Sequence, residues 1–151
     1  MIRSRAATEP IGTRGEQGLR TVARQITQDD IDAFAAVSGD HHPQHVDATW
    51  ATSSMFGQRI AHGMLVLACA TGLVPLEPER VVALRHVKAT FKRPVLPGDA
   101  ICVDVRPTSA RRLDDRHRLI TSQWRILNQA EQLVALVVVE VLFRDTPDGS
   151  A

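Results

Sequence analysis

The stretch 60-IAHGMLVLACATGL-73 is apolar on nearly every face of a helix, the pattern of a segment enclosed by other structure and not of a surface helix. Pro75 and Pro78 follow it and mark its end. Beyond Arg80 the period drops to two. Val87, Ala89 and Phe91 alternate with Lys88, Thr90 and Lys92, and Ile101, Val103 and Val105 alternate with Cys102, Asp104 and Arg106. Two more strands are expected over 119–127 and 133–143, joined as a hairpin through Asn128 to Glu131. The last, LVALVVVEVLF, reads as buried on both faces. One enclosed helix followed by antiparallel strands predicts an α+β domain whose sheet curls around that helix.

Upstream, 27-TQDDIDAFAAVSG-39 predicts a helix with Thr27 and Asp30 at capping-box spacing, Ile31, Phe34 and Ala35 on one face, and Gly39 at its end. The following 40-DHHPQHVD-47 contains a proline and few apolar residues, so it is an ordered loop or the start of a new helix. A sheet of this kind has exposed edges, which a second copy of the chain covers most economically, so a homodimer is expected.

Composition bounds the rest. The 151 residues, 44% hydrophobic and 23% charged, suit one domain with one core. The expected boundaries are a flexible tail over 1–18, the domain over 19–144 and a short tail over 145–151. A formal charge of +1 and an aromatic content of 4%, with no Tyr, argue against a nucleic-acid partner. No apolar run approaches the roughly 20 residues that span a bilayer, and the first eighteen residues lack the apolar centre of a secretory signal. Cys69 and Cys102 lie in apolar runs without a CxxC and read as reduced core thiols, in keeping with a cytoplasmic location.

Four histidines, His41, His42, His45 and His62, fall close together, three of them beside Asp40 and Asp47. In the simplest reading this is a polar loop in which Asp40 caps a helix and the rest is solvated. A second is a metal site, but Pro43 prevents the one-face helical spacing that makes such motifs specific, and no distant third ligand is evident. A third makes Asp40, partly buried in its loop, and His45 an acid–base pair around one water. The helix start at His62 and Gly63 would then offer backbone N–H groups to a developing oxyanion.

The segment 38-SGDHHPQHVD-47 followed by 59-RIAHGML-65 resembles the GDxNPxHxD and IAHGM motifs of the MaoC-like, (R)-specific enoyl-CoA hydratase family. A third segment, 91-FKRPVLPGD-99, is similar to the strand and turn that lie downstream in the same family. The resemblance runs from about Leu19 to Arg144 and implies a hot-dog fold. It also implies reversible syn addition of water to a trans-2-enoyl thioester, giving the (R)-3-hydroxyacyl thioester, on coenzyme A or a carrier protein's phosphopantetheine. In that family the loop aspartate and histidine hold the catalytic water, and the glycine after the motif histidine polarises the thioester carbonyl. The matching positions are Asp40, His45 and Gly63, with no metal and no organic cofactor. The first N–H groups of a helix have no internal partner and carry the positive end of its dipole, so Gly63 suits this role.

Two positions depart from the pattern. His42 stands in place of Asn and Gln44 in place of an aliphatic residue. A polar Gln44 near the water-binding pair points to an oxygenated acyl chain, such as a polyketide intermediate. His62 is expected to cap or anchor the buried helix by a side-chain hydrogen bond. Lys88, Lys92 and Arg93 are candidates for the substrate's phosphates. Two alternatives stand beside hydration: a thioesterase, in which a carboxylate directs water at the thioester carbonyl, and a non-catalytic acyl-thioester binder serving as a partner subunit.

Overall fold

The computed structural model describes residues 18–145. The expected terminal tails therefore lie outside the described residues, apart from Gly18 and Asp145. Ten elements follow one another: β1 (Leu19–Arg20), β2 (Arg24–Gln25), α1 (Gln28–Ser38), α2 (Pro43–Val46), α3 (Ala48–Thr52), α4 (Gly63–Leu73), β3 (Val81–Phe91), β4 (Ala100–Arg112), β5 (His117–Asn128) and β6 (Leu133–Arg144). The strands form one antiparallel sheet in the order β1-β4-β5-β6-β3, with β2 also on β4.

The register sets which side chains meet the core. Val105 pairs with Trp124 and Trp124 with Val137, which pairs with Ala89, so these four share one face. Leu65, Val66, Cys69 and Ala70 of α4 join the same apolar cluster, so the helix lies on the concave side of the sheet. This is the hot-dog arrangement, an antiparallel sheet around one helix.

Two expectations need correction, and one edge strand is left open. The helix begins at Gly63, not Ile60, and within one chain only one of its faces is buried; Met64 is 63% exposed and Ala68, Thr71 and Gly72 are also exposed. The last strand alternates, with Leu136, Val138 and Leu142 only half-buried on the outer face. Strand β3, at the sheet edge, leaves Val87 43% and Phe91 47% exposed, although Ala89 between them packs against the core. Each follows from topology: periodicity identifies a face, but not whether the chain itself supplies enough structure to cover it.

Helix α1 fits its reading. Thr27 Oγ1 accepts the Asp30 N–H at 3.1 Å, and an Asp30 carboxylate oxygen accepts the Thr27 N–H at 2.9 Å. Gly39 closes the helix at φ 77°, in the left-handed region that favours glycine, and turns the chain into the histidine loop.

Candidate active site

The loop after Gly39 is held by its own short side chains. Asp40 Oδ1 accepts the His42 N–H at 3.2 Å, and His42 Nδ1 accepts the Gln44 N–H at 3.1 Å, which makes His42 the N-cap of α2 with Pro43 in the first turn. His42 thus performs the capping an asparagine would, and its exposed ring stands edge-on to Trp50 with centroids 5.6 Å apart. Asp47 then caps α3 by accepting the Trp50 N–H at 2.9 Å.

Gln44 turns away from Asp40 and His45. It is 8% exposed, its amide donates to the Gln58 carbonyl at 3.1 Å, and its own carbonyl accepts the Ile60 N–H at 3.2 Å. The side chain fastens the 58–60 segment beneath α2. The argument from Gln44 to an oxygenated acyl chain therefore falls.

His45 is half-buried on the other side of α2. Its Nδ1 lies 2.7 Å from the Ile60 carbonyl oxygen. A carbonyl oxygen only accepts, so Nδ1 carries the proton and the neutral ring keeps its lone pair at Nε2. Burial is the main cause holding the His45 pKa below its ordinary value, opposed by the Ile60 hydrogen bond and aided by the neighbouring His62; Asp40 raises it and His42 lowers it by smaller amounts. The ring is thus kept neutral and able to accept a proton.

His62, 2% exposed, sits at the N-cap of α4 without a side-chain capping bond. Its Nε2 donates instead to the Asp40 carbonyl at 3.0 Å, and its ring stacks on His45 with centroids 3.9 Å apart. The expected anchoring bond exists, but it ties down the histidine loop and leaves the helix end without a side-chain cap. The chain just before it is fixed by Ala61 N–H donating to the Val95 carbonyl at 2.8 Å.

One oxygen of Asp40 and one ring nitrogen each of His45 and His62 lie within 4.8 Å of one another. Asp40 is exposed, contrary to the partial burial expected, and His62 is the third group that the sequence did not show beside it. These distances are ones that a metal ion could bridge, but the stacking of the two rings is unlike the converging donors of a tetrahedral site. The His45 and His62 planes are only 27° apart, so their in-plane lone pairs run nearly side by side and do not converge on a point about 2 Å from both nitrogens.

His45 and Gly63 both line a cavity of about 480 Å³, whose other walls include Phe56, Ile60, Phe91 and Val134. The lining is mainly apolar, as in sites that take an extended hydrocarbon. Gly63 opens α4, and its N–H precedes the first bond of that helix, from Val66 N–H to the His62 carbonyl at 3.2 Å. A Cβ at Gly63 would stand 2.9 Å from Phe91 Cζ, so the Phe91 ring lies directly over this glycine and would have to move aside for a side chain there.

Lys92 and Arg93 reach this cavity, and Arg93 is steadied by donating to the Leu133 carbonyl at 2.9 Å. Lys88 does not. It pairs with Val138 on the outer face of the sheet, one residue out of step with inward-facing Ala89, and is withdrawn as a phosphate candidate. Sequence reading missed Ile60, whose carbonyl sets the His45 tautomer, and Phe91, whose alternation with Lys92 was the available signal.

The profile of the MaoC like domain matches residues 11–125. Among curated relatives, Protein MaoC of Klebsiella aerogenes is 38% identical over 96 residues, 62% of this chain and 28% of that protein. The (R)-specific enoyl-CoA hydratase of Aeromonas caviae is 34% identical over 83 residues, 54% of this chain and 62% of that one. The matched stretch thus spans less than two-thirds of either relative. Among solved structures, the Monoamine oxidase regulatory protein from Archaeoglobus fulgius superposes with a TM-score of 0.84 at 30% identity, covering 91% of this chain and 97% of that one.

Proposed function

Because the chain belongs to the MaoC-like domain family, we propose that its cavity catalyses the reversible hydration of a trans-2-enoyl thioester to the (R)-3-hydroxyacyl thioester. The observation that carries this reading is the approach of an Asp40 oxygen and a His45 nitrogen to within 4.8 Å, beside the cavity that His45 shares with Gly63. One water at about 2.8 Å from each atom spans such a gap. The Asp40 carboxylate accepts only, and a His45 ring protonated at Nδ1 accepts at Nε2, so each accepts a hydrogen bond from that water, whose oxygen lone pairs stay free for the substrate.

The oxygen bonds to the β-carbon as the carbon–carbon π pair moves toward the thioester, whose oxygen gains negative charge against the Gly63 N–H and the positive end of α4. Asp40 takes the larger share of the water's proton. A proton returned to the α-carbon from the same side completes syn addition, and dehydration reverses each step. No metal or organic cofactor enters. The apolar walls suit a plain alkyl chain better than a polyketide one, and Lys92 and Arg93, which line the same cavity, are the candidates for the phosphates of coenzyme A or a carrier protein. A homodimer covers the open face of α4 and the β3 edge. No helix among the described residues is long and apolar enough to cross a membrane.

The test follows the loss of conjugated absorbance from short trans-2-enoyl-CoA, with free thiol measured in parallel. Absorbance loss without thiol, reduced about 10²- to 10⁴-fold in Asp40→Asn, is the expected result. Thiol release assigns a thioesterase, and inertness toward every acyl donor assigns a binding subunit. Treatment with a chelator leaves the rate unchanged if the reaction is cofactor-free; a stoichiometric metal whose removal abolishes turnover refutes that part.

A further inference from the structure

The residue that sets the geometry of the acid–base pair belongs to neither half of it. His62 occupies the N-cap of α4, where Ser, Thr, Asp or Asn would cap the helix, yet it makes no capping bond. Its Nδ1 is buried with no hydrogen-bond partner among the described residues, a condition that calls for an explanation outside helix stability. Two contacts supply one. Nε2 donates to the Asp40 carbonyl at 3.0 Å, and the ring is clasped between Phe34 of α1, centroids 4.9 Å apart, and His45, centroids 3.9 Å apart.

We infer that His62 is a positioning residue for the Asp40–His45 pair: one buried ring ties the Asp40 backbone to the start of α4 and forms the surface on which His45 lies. The inference rests on the hydratase reading. Asp40 is exposed, and apart from the turn it makes with His42 its placement depends on backbone contacts, to Ser38 Oγ through its N–H at 3.1 Å and to His62 through its carbonyl. His45 is held at one edge by the Ile60 carbonyl, a bond that permits the ring to swing, and the His62 face removes that freedom. With Phe34 packed behind it, the ring transmits the position of α1 and α4 to both groups, at the sub-ångström precision that proton transfer requires.

Among the described residues, the titratable groups acting on His45 are Asp40 from the loop, His42 from the start of α2 and His62 from the start of α4, while Lys92 and Arg93, just after β3, line the same cavity. Replacing His62 opens one face of His45 to water and removes one of these neighbours.

The experiment combines kinetics on enoyl-CoA with long-range proton–nitrogen spectra of the imidazoles, for the wild-type chain and for His62→Ala, His62→Gln and His62→Phe. In the wild type, His62 is expected to carry its proton on Nε2 and His45 on Nδ1. In His62→Ala the His45 midpoint rises toward its ordinary value, and kcat falls by about 10-fold or more while KM changes by less than about 3-fold. His62→Gln, which keeps a donor for the Asp40 carbonyl but offers no ring, recovers part of kcat with the midpoint still raised. His62→Phe keeps a ring over His45, so the midpoint rises less than in His62→Ala, but it loses the donor to the Asp40 carbonyl and kcat falls. An Nδ1–H tautomer at His62 overturns the inference even if every variant fails to fold. So does a folded His62→Ala that loses only thermal stability, with kcat/KM and the His45 midpoint unchanged. The spectra need no turnover, so a chain inert toward enoyl thioesters removes the hydratase reading while the tautomers and the His45 midpoint still decide whether His62 holds the pair.

Discussion

Gly63→Ala separates the contribution of this residue to folding from its contribution to chemistry. A Cβ there meets Phe91 Cζ at 2.9 Å, Cε1 at 3.0 Å and Cε2 at 3.2 Å, so the edge of the ring must retreat by about half an ångström to reach ordinary contact. Overpacking a closed core costs about 1–3 kcal/mol, but Phe91 is 47% exposed and can swing outward, which puts the cost at the low end. Alanine in place of glycine in a helix returns up to about 1 kcal/mol, less at the first position. The net change in stability is therefore within about 1 kcal/mol, or a few degrees in Tm for a domain of this size. Denying the thioester oxygen its N–H donor costs about 10²- to 10³-fold in kcat, roughly 2.7–4 kcal/mol. The chemical loss exceeds the folding loss several-fold, and hydration rates read beside a thermal melt resolve the two. Adding Phe91→Leu to Gly63→Ala relieves the clash; activity that stays low after relief puts the obstruction at the methyl group itself, and activity that returns assigns the loss to the displaced ring. A Gly63→Ala chain with wild-type kcat/KM refutes the approach of the thioester to this N–H.

Four further outcomes follow from the geometry. His45 must be neutral to accept a proton, so kcat/KM should fall on the acid side with a midpoint below the ordinary 6.5, as a pH profile will show. Because the unfolded chain takes up this proton first as pH falls, the same group contributes stability that is present above 6.5 and lost as pH drops toward its folded pKa, which denaturant midpoints across that window measure. Gln44→Leu leaves the Gln58 carbonyl without its donor and should cost about 1–2 kcal/mol by denaturation while leaving acyl-chain preference unchanged; a shifted preference would restore Gln44 to the site. Lys92→Glu should raise KM for an enoyl-CoA by several-fold and Lys88→Glu should not, since only Lys92 reaches the cavity.

Local sequence was enough for the elements and the histidine loop. Thr27, Asp30 and Gly39 define a helix through local hydrogen bonds and one left-handed backbone position, and these depend on nothing far away. The alternation around Ala89, Val103 and Val137 marks strand faces for the same reason, because the pleat repeats every two residues. Asp40, His45 and Gly63 were legible because their motifs are local and come in a fixed order. Tertiary structure alone decided the rest. Whether Met64 and Val87 are covered depends on what lies opposite, and a single chain leaves both open. Whether Gln44 faces the water or the Gln58 carbonyl depends on how α2 is rotated above the 58–60 segment. Lys88 was separated from Lys92 by register on β6, and His62 was brought 22 positions back along the chain to the Asp40 carbonyl by the packing of α1 against α4. Local rules specify which groups are present, but the direction of a side chain and its partner across the fold come from long-range packing, which no short window of sequence contains.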